Sequence, residues 1–273
     1  MLKLPARTTA TNRRISFKSI FSFMTVVPNL QHDVSHLRVF DYFAMTIILP
    51  AEKAKPFLNN FEKNKMTQYE YGRLRVDNTA LLMVDHQTGI SNGVADMSQM
   101  EFRNNVFALA KVAKIHQLPT LFTTSQADGP NGPLLPGLKE ILPDAPVIHR
   151  PGEINAFDNA EFAQAVKKTG RKKLLVAGVS TEVCVAFAVL SALKAGYEVY
   201  PVIDASGTWN QLVQETAVQR MIQAGAQPMT WIGVAAELQA DWRNPTGEQL
   251  AEIMGAHSFY GNVIASYFTA KGN

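Results

Sequence analysis

From residue 75 onward, short apolar runs alternate with longer amphipathic stretches. The run "TALLMVDH" at 79–86 is apolar at consecutive positions, as expected of a strand buried on both faces. The stretch after it, "MEFRNNVFALAKVAKIHQ", places Phe102, Val106, Leu109, Val112 and Ala113 on one side of a helix. "LPTLFTTS" predicts a second strand, "DGPNGPLLPG" a loop, and "APVIHRPG" a short third strand stopped by Pro151. "NAEFAQAVKKTG" predicts a helix capped by Asn159 and closed by Gly170. "KKLLVAGV" is the clearest strand, and "TEVCVAFAVLSALKAG" reads as a nearly all-apolar, buried helix ending at Gly196. "YEVYPVIDA" predicts a fifth strand, "NQLVQETAVQRMIQAG" a helix, "AQPMTWIG" a sixth strand and "VAAELQADW" the start of a closing helix. Residues 248–270 read as a C-terminal arm.

Strands that alternate with helices need crossover connections, which build a parallel sheet with helices on both faces. Ligands of such sheets bind beyond the carboxyl ends of the strands. Three polar residues fall at that edge: Asp85 after strand one, Arg150 ending strand three, and Cys184 one loop past strand four. They are separated by 65 and 34 residues in the chain.

The first 65 residues break the pattern. "MLKLPARTTATNRRISFKSIFSFM" is basic, rich in hydroxyls and free of acids, as transit peptides are. The same composition suits a disordered tail or upstream sequence translated from a misplaced start, since Met66 would be a normal beginning for a domain over 66–273. The expected location is the cytoplasm, or the mitochondrion if the extension acts as a transit peptide. With +5 in residues 1–32, the rest of the chain carries −2 of the total net charge of +3. It has no basic stripe with interleaved aromatics, so nucleic-acid binding is not expected. The apolar run at 39–50 contains Asp41 and falls far short of the ~20 residues that span a bilayer.

One cysteine among 273 residues excludes an intrachain disulfide framework and a cysteine-rich zinc site, and it suits a reducing compartment. That cysteine has two readings. A thiol in the first turn of a helix is favoured as thiolate by the unpaired N–H groups and the dipole. A free cysteine is also among the most buried residue types, and often merely packs. Asp85 is costly to bury without a partner, although a cap or a structural ion pair would equally account for it. Arg150 could orient that carboxylate or hold substrate, or it could be a surface arginine.

"ALLMVDHQTG", "IHRPGEINAF", "LLVAGVSTEVCV" and "VIDASGTW" resemble the motifs of the isochorismatase-like cysteine hydrolases over residues 75–270. The resemblance implies an α/β/α three-layer sandwich with a six-stranded parallel sheet, doubly wound in the Rossmann-like manner. It implies Asp85 as acid, Cys184 as nucleophile, and a non-proline cis peptide at Val179–Ser180. Most of the family carries lysine where this chain has Arg150, and a subgroup shares the arginine. Nicotinamidases of the family carry an Asp-x-His metal cluster after strand two, whereas this chain has "TTSQADGPNGP" there. No metal or other cofactor is therefore expected. True isochorismatases lack the cysteine, so Cys184 points to thiol chemistry on a small amide or related carbonyl. The backbone N–H groups of Ser180 and Cys184 would receive the oxyanion, and Asn155, Phe157, Thr208 and Trp209 would line the pocket.

Three other readings compete. One is an inert metabolite-binding member of the same fold. A nucleotide-binding oxidoreductase would need G-x-G-x-x-G after strand one, which "VDHQTGISNG" lacks. An oligomeric scaffold would use the aromatic arm with Trp242, Phe259, Tyr260, Tyr267 and Phe268. A homo-oligomer is expected to coexist with catalysis.

Overall fold

A computed structural model describes residues 71–271. The extension expected over 1–65, the apolar run at 39–50 and the start at Met66 lie outside the described residues. Five strands form one parallel sheet: β1 (Thr79–Val84), β2 (Thr120–Ser125), β3 (Val147–Arg150), β4 (Lys173–Gly178) and β5 (Glu198–Pro201). Their order is β3-β2-β1-β4-β5. The chain starts in the middle of the sheet, winds outward to β3, then crosses back over β1 to β4. The central strand is β1, which pairs Val84 with Thr123 on one side and with Gly178 on the other.

The period of two along each central strand divides the core. Leu81 and Met83 of β1, with Leu175 and Ala177 of β4, face one layer. It holds α1 (Gln99–Ile115), α2 (Leu138–Ile141), α6 (Trp231–Gln239) and α7 (Gly247–His257). Ala80, Leu82 and Val84, with Leu174 and Val176, face the opposite layer. That layer holds α3 (Ala160–Lys168), α4 (Ala186–Lys194) and α5 (Gln211–Gln223). Both faces are covered, which is why the central strands read as unbroken apolar runs.

Several helices begin with side-chain caps at or near the carboxyl edge of the sheet. Ser98 accepts from the Glu101 N–H, Asn159 from Phe162 and Asn210 from Val213. Each cap satisfies one of the free amides of a first helical turn.

The sixth strand does not form as expected. Only one parallel bridge, Val202 to Met229, stands where the run at 226–233 was expected to extend the sheet. Gln227 and Met229 donate to the Val199 and Pro201 carbonyls and Ile203 donates back to Met229, but the pairing ends there, because Thr230 turns the chain into α6 by accepting from the Gly233 N–H. Trp231, expected within the strand, is instead the first residue of that helix and is fully buried.

The C-terminal arm divides in two. α7 belongs to the core through Leu250, Ile253 and Met254, whereas α8 (Tyr260–Lys271) buries no residue completely. Among the described residues no helix is long and apolar enough to cross a membrane.

Candidate active site

Asp85, Arg150 and Cys184 come together at the carboxyl edge of the sheet. Asp85 is the first residue past β1, and its φ of 56° turns the chain out of the strand. Its own N–H still bonds the Thr123 carbonyl at 2.9 Å, so the turn is anchored to β2. Asp and Asn tolerate this left-handed region better than most residues.

Arg150 ends β3, two strands away. Its side chain crosses β2 to reach Asp85, and its Nε donates to Thr123 Oγ1 at 3.0 Å on the way. Nη2 donates to both carboxylate oxygens of Asp85. Nη1 donates to the carbonyls of Glu153 and Ile154, the latter at 3.0 Å. A guanidinium has five N–H donors and no acceptor. All five are used here, by one hydroxyl, two carbonyls and one carboxylate.

On the other side of β1, the chain leaves β4 at Gly178. A Cβ at Gly178 would lie 2.1 Å from the Val84 carbonyl oxygen, so only glycine allows β1 and β4 to meet here. The Val179–Ser180 peptide follows and is cis. Thr181–Val185 forms a π-helical turn that carries Cys184, and α4 continues from it. Short π segments occur often at functional positions.

The Cys184 thiol sits beside the Asp85 carboxylate and the Ser180 N–H, and both act on it. Asp85 and Arg150 are each 1% exposed and Cys184 is 8% exposed, so the sulfur is the member of the trio nearest to solvent. Burial pushes the thiol pKa up strongly, and the Asp85 charge and hydrogen bond push it further. The Ser180 amide and Arg150 oppose this without reversing it. The expectation of a thiolate favoured by a helix N-terminus is therefore corrected. The loss of water, and then the adjacent carboxylate, outweigh the dipole and favour the protonated thiol. Burial also raises the Asp85 pKa, with Arg150 limiting the rise.

His86, next in the chain, offers no competing base. It is fully buried, stacks on Phe102 and contacts the Ala205 carbonyl through Nε2 at 3.0 Å. Burial lowers its pKa to about 4, so it is neutral near pH 7.

The four pocket residues expected from the sequence have different surroundings. Asn155 accepts from the Phe157 N–H and donates to Ser191 Oγ at 2.9 Å. Phe157 meets Phe162 edge-on, with ring centroids 5.5 Å apart. Thr208 is completely buried; its Oγ1 donates to Glu182 at 2.6 Å and its N–H donates to Asp96 at 3.0 Å. Trp209 is 42% exposed and lies against Gly93, where a Cβ would clash with the indole. Sequence reasoning missed Thr123, Glu182 and Asp96. Glu182 was legible as a polar residue inside an otherwise apolar helix start. The others act through partners far along the chain. A cavity of about 670 Å³ opens beside Arg150, lined by Gln126, Asp128, Gly129, His149 and Pro151. Among the described residues no group of three or more His, Cys, Asp or Glu side chains could hold a metal ion.

The isochorismatase domain profile matches residues 79–232. The chain belongs to the isochorismatase family. It is 52% identical over 200 residues to the protein named "Probable hydrolase YcaC" of Escherichia coli, covering 73% of this chain and 96% of that one. The crystal structure of E. coli YcaC, described as an octameric hydrolase of unknown specificity, is similar with a TM-score of 0.72 and 52% identity. The match spans 74% of this chain and 100% of that one. YcaC from Pseudomonas aeruginosa, with hexane-2,5-diol and covalent acrylamide, is similar with a TM-score of 0.71 and 53% identity, over 73% of this chain and 99% of that one.

Proposed function

We propose that this isochorismatase-family protein is a cysteine-nucleophile hydrolase of a small amide or related carbonyl compound. The observation that carries the reading is the Cys184 thiol beside the Asp85 carboxylate, both of whose oxygens Arg150 Nη2 holds. Asp85 takes the thiol proton as Sγ attacks the carbonyl carbon. The backbone N–H groups of Ser180 and Cys184 receive the developing oxyanion, a contribution of about 10²–10³ in rate for each donor of this kind. Asp85 returns the proton to the leaving nitrogen, and ammonia or an amine departs. Water then cleaves the thioester, with Asp85 accepting its proton. Arg150 stands where most of the family carries lysine. Its donors are fully committed, so its part is to orient and ionise Asp85. Trp209 is the pocket candidate with an open face, while Asn155, Phe157 and Thr208 are engaged by Ser191, Phe162 and Glu182.

Covalent acrylamide on the P. aeruginosa relative supports the reading. A thiol is the side chain that adds readily to such a double bond, and Cys184 is the only thiol in this chain. Incubation with a panel of small amides should release ammonia and leave an acyl adduct on Cys184, seen by mass spectrometry. Cys184→Ala should lose both. Turnover that persists in that variant would end the proposal.

The octameric E. coli relative supports assembly with further copies of this chain. Tyr267 and Phe268 on α8 are 51% and 50% exposed, and Phe259 just before it is 66% exposed. We assign this face to a second copy of the chain. Replacing Tyr267 and Phe268 together by serine should lower the mass measured by light scattering while the fold, read by circular dichroism, is kept. An unchanged mass would remove α8 from the interface.

A further inference from the structure

The ion pair that steadies the nucleophile also limits what can approach it. Arg150 is the cation that acts on the Cys184 sulfur, and none of its five N–H groups is free to meet a ligand. Its charge is balanced at contact by Asp85. A substrate carboxylate entering this site would find the donors of Arg150 already taken.

The surroundings add negative charge. Glu182 lies two residues before the sulfur in the same turn, and its carboxylate is fixed by Thr208. Asp96 closes the far side of the Thr208 strap, holding its N–H and bonded in turn by Gln214 at 2.8 Å. Asp128 lines the cavity beside Arg150. Glu182 and Asp96 thus put negative charge on the strap that holds the nucleophile's turn, and Asp128 puts it on the wall beside Arg150. Such charges act more strongly where water is excluded. The open contact surface nearest this strap is the Trp209 indole, which has no charge to offer.

We propose that the site selects uncharged acyl groups and rejects those with a carboxylate next to the reacting carbonyl. This specificity rests on the reading of Cys184 as the nucleophile. It follows from the saturation of Arg150, because an arginine with two open donors would favour the opposite class.

Two alkylating reagents of nearly equal size test it. Iodoacetamide is neutral and iodoacetate is anionic, and both alkylate the thiolate. The ratio of their rates cancels the fraction of thiol ionised. The Ser180 and Cys184 amides bond an anionic oxygen more strongly than a neutral one, so they favour iodoacetate, and a ratio in favour of iodoacetamide stands against them. With the full-length protein, the iodoacetamide-to-iodoacetate ratio at Cys184 should exceed that for 2-mercaptoethanol at the same pH by at least tenfold. In Asp85→Asn the guanidinium is left unbalanced, and the ratio should fall at least fivefold from the wild-type value. A wild-type ratio equal to or below that of 2-mercaptoethanol overturns the charge selection while leaving the nucleophile intact. If neither reagent labels the folded protein although both label it in urea, the nucleophile reading fails and this inference with it.

Discussion

In Asp85→Asn protein the Cys184 thiol should titrate at a lower pH than in the wild type, while turnover falls by about 10²–10⁴-fold. The two effects have opposite signs for reactivity, and their combination distinguishes this site from a thiolate–imidazolium pair. The thiol is held protonated first by burial, then by the charge and hydrogen bond of Asp85. Asparagine removes the charge but fills the same space. Arg150, which lowers the thiol pKa, is then no longer offset. The free-thiol value of about 8.5 is the reference. Wild-type alkylation by iodoacetamide should rise only above that pH, and the variant's profile should lie to its acid side. Turnover is lost nonetheless, because no group remains to accept the proton as the sulfur attacks. The acid limb of wild-type activity reports Asp85, whose pKa burial raises. It should therefore lie above the range of an exposed carboxylate. Coincident alkylation profiles for the two proteins would show that Asp85 does not act on the sulfur.

Much of this geometry was legible in the sequence, because the strand runs fix where each polar residue emerges. "ALLMVD" and "APVIHR" end in the two residues that meet, and the alternation of strands and helices places both at one edge. The 65 residues between Asp85 and Arg150 vanish once β1, β2 and β3 are neighbours. What the sequence hid follows from chemistry that has no local signature. The run at 226–233 has the composition of a strand, yet the Thr230 cap divides it between a single bridge and a helix. Cys184 sits at a helix start, where the dipole argument gives the wrong sign for its pKa. Burial first, and then a carboxylate from another strand, override the dipole, and only the packed structure brings both to the sulfur. Thr208 similarly looks like a pocket hydroxyl in "ASGTW" until its partners, Glu182 and Asp96, are seen to use its hydroxyl and its N–H.

Arg150→Lys, a substitution that preserves charge, should destabilise the protein by about 2–4 kcal/mol. An ammonium offers three donors from a single point, whereas the guanidinium here feeds acceptors in three directions. Lysine could keep the contact with Asp85 but would leave the Glu153 and Ile154 carbonyls and one side of Thr123 Oγ1 without their donor. A buried acceptor left unsatisfied costs about 1–3 kcal/mol, and relaxation of the segment after β3 toward water recovers part of that. The urea midpoint should fall accordingly, and amides of the 151–154 segment should exchange faster with solvent. Arg150→Ala should be worse, because it leaves Asp85 buried without a counter-charge, a loss of about 3–5 kcal/mol for a broken buried pair. Asp85 would then favour its protonated form at neutral pH and cease to be a base. The ordering of activity is therefore wild type, then Arg150→Lys, then Arg150→Ala, with the acid limb of the pH profile moving upward along the series. Equal stability of Arg150→Lys and wild type would mean that the loop carbonyls do not depend on the guanidinium. In that case Arg150 would stand in for lysine by charge alone.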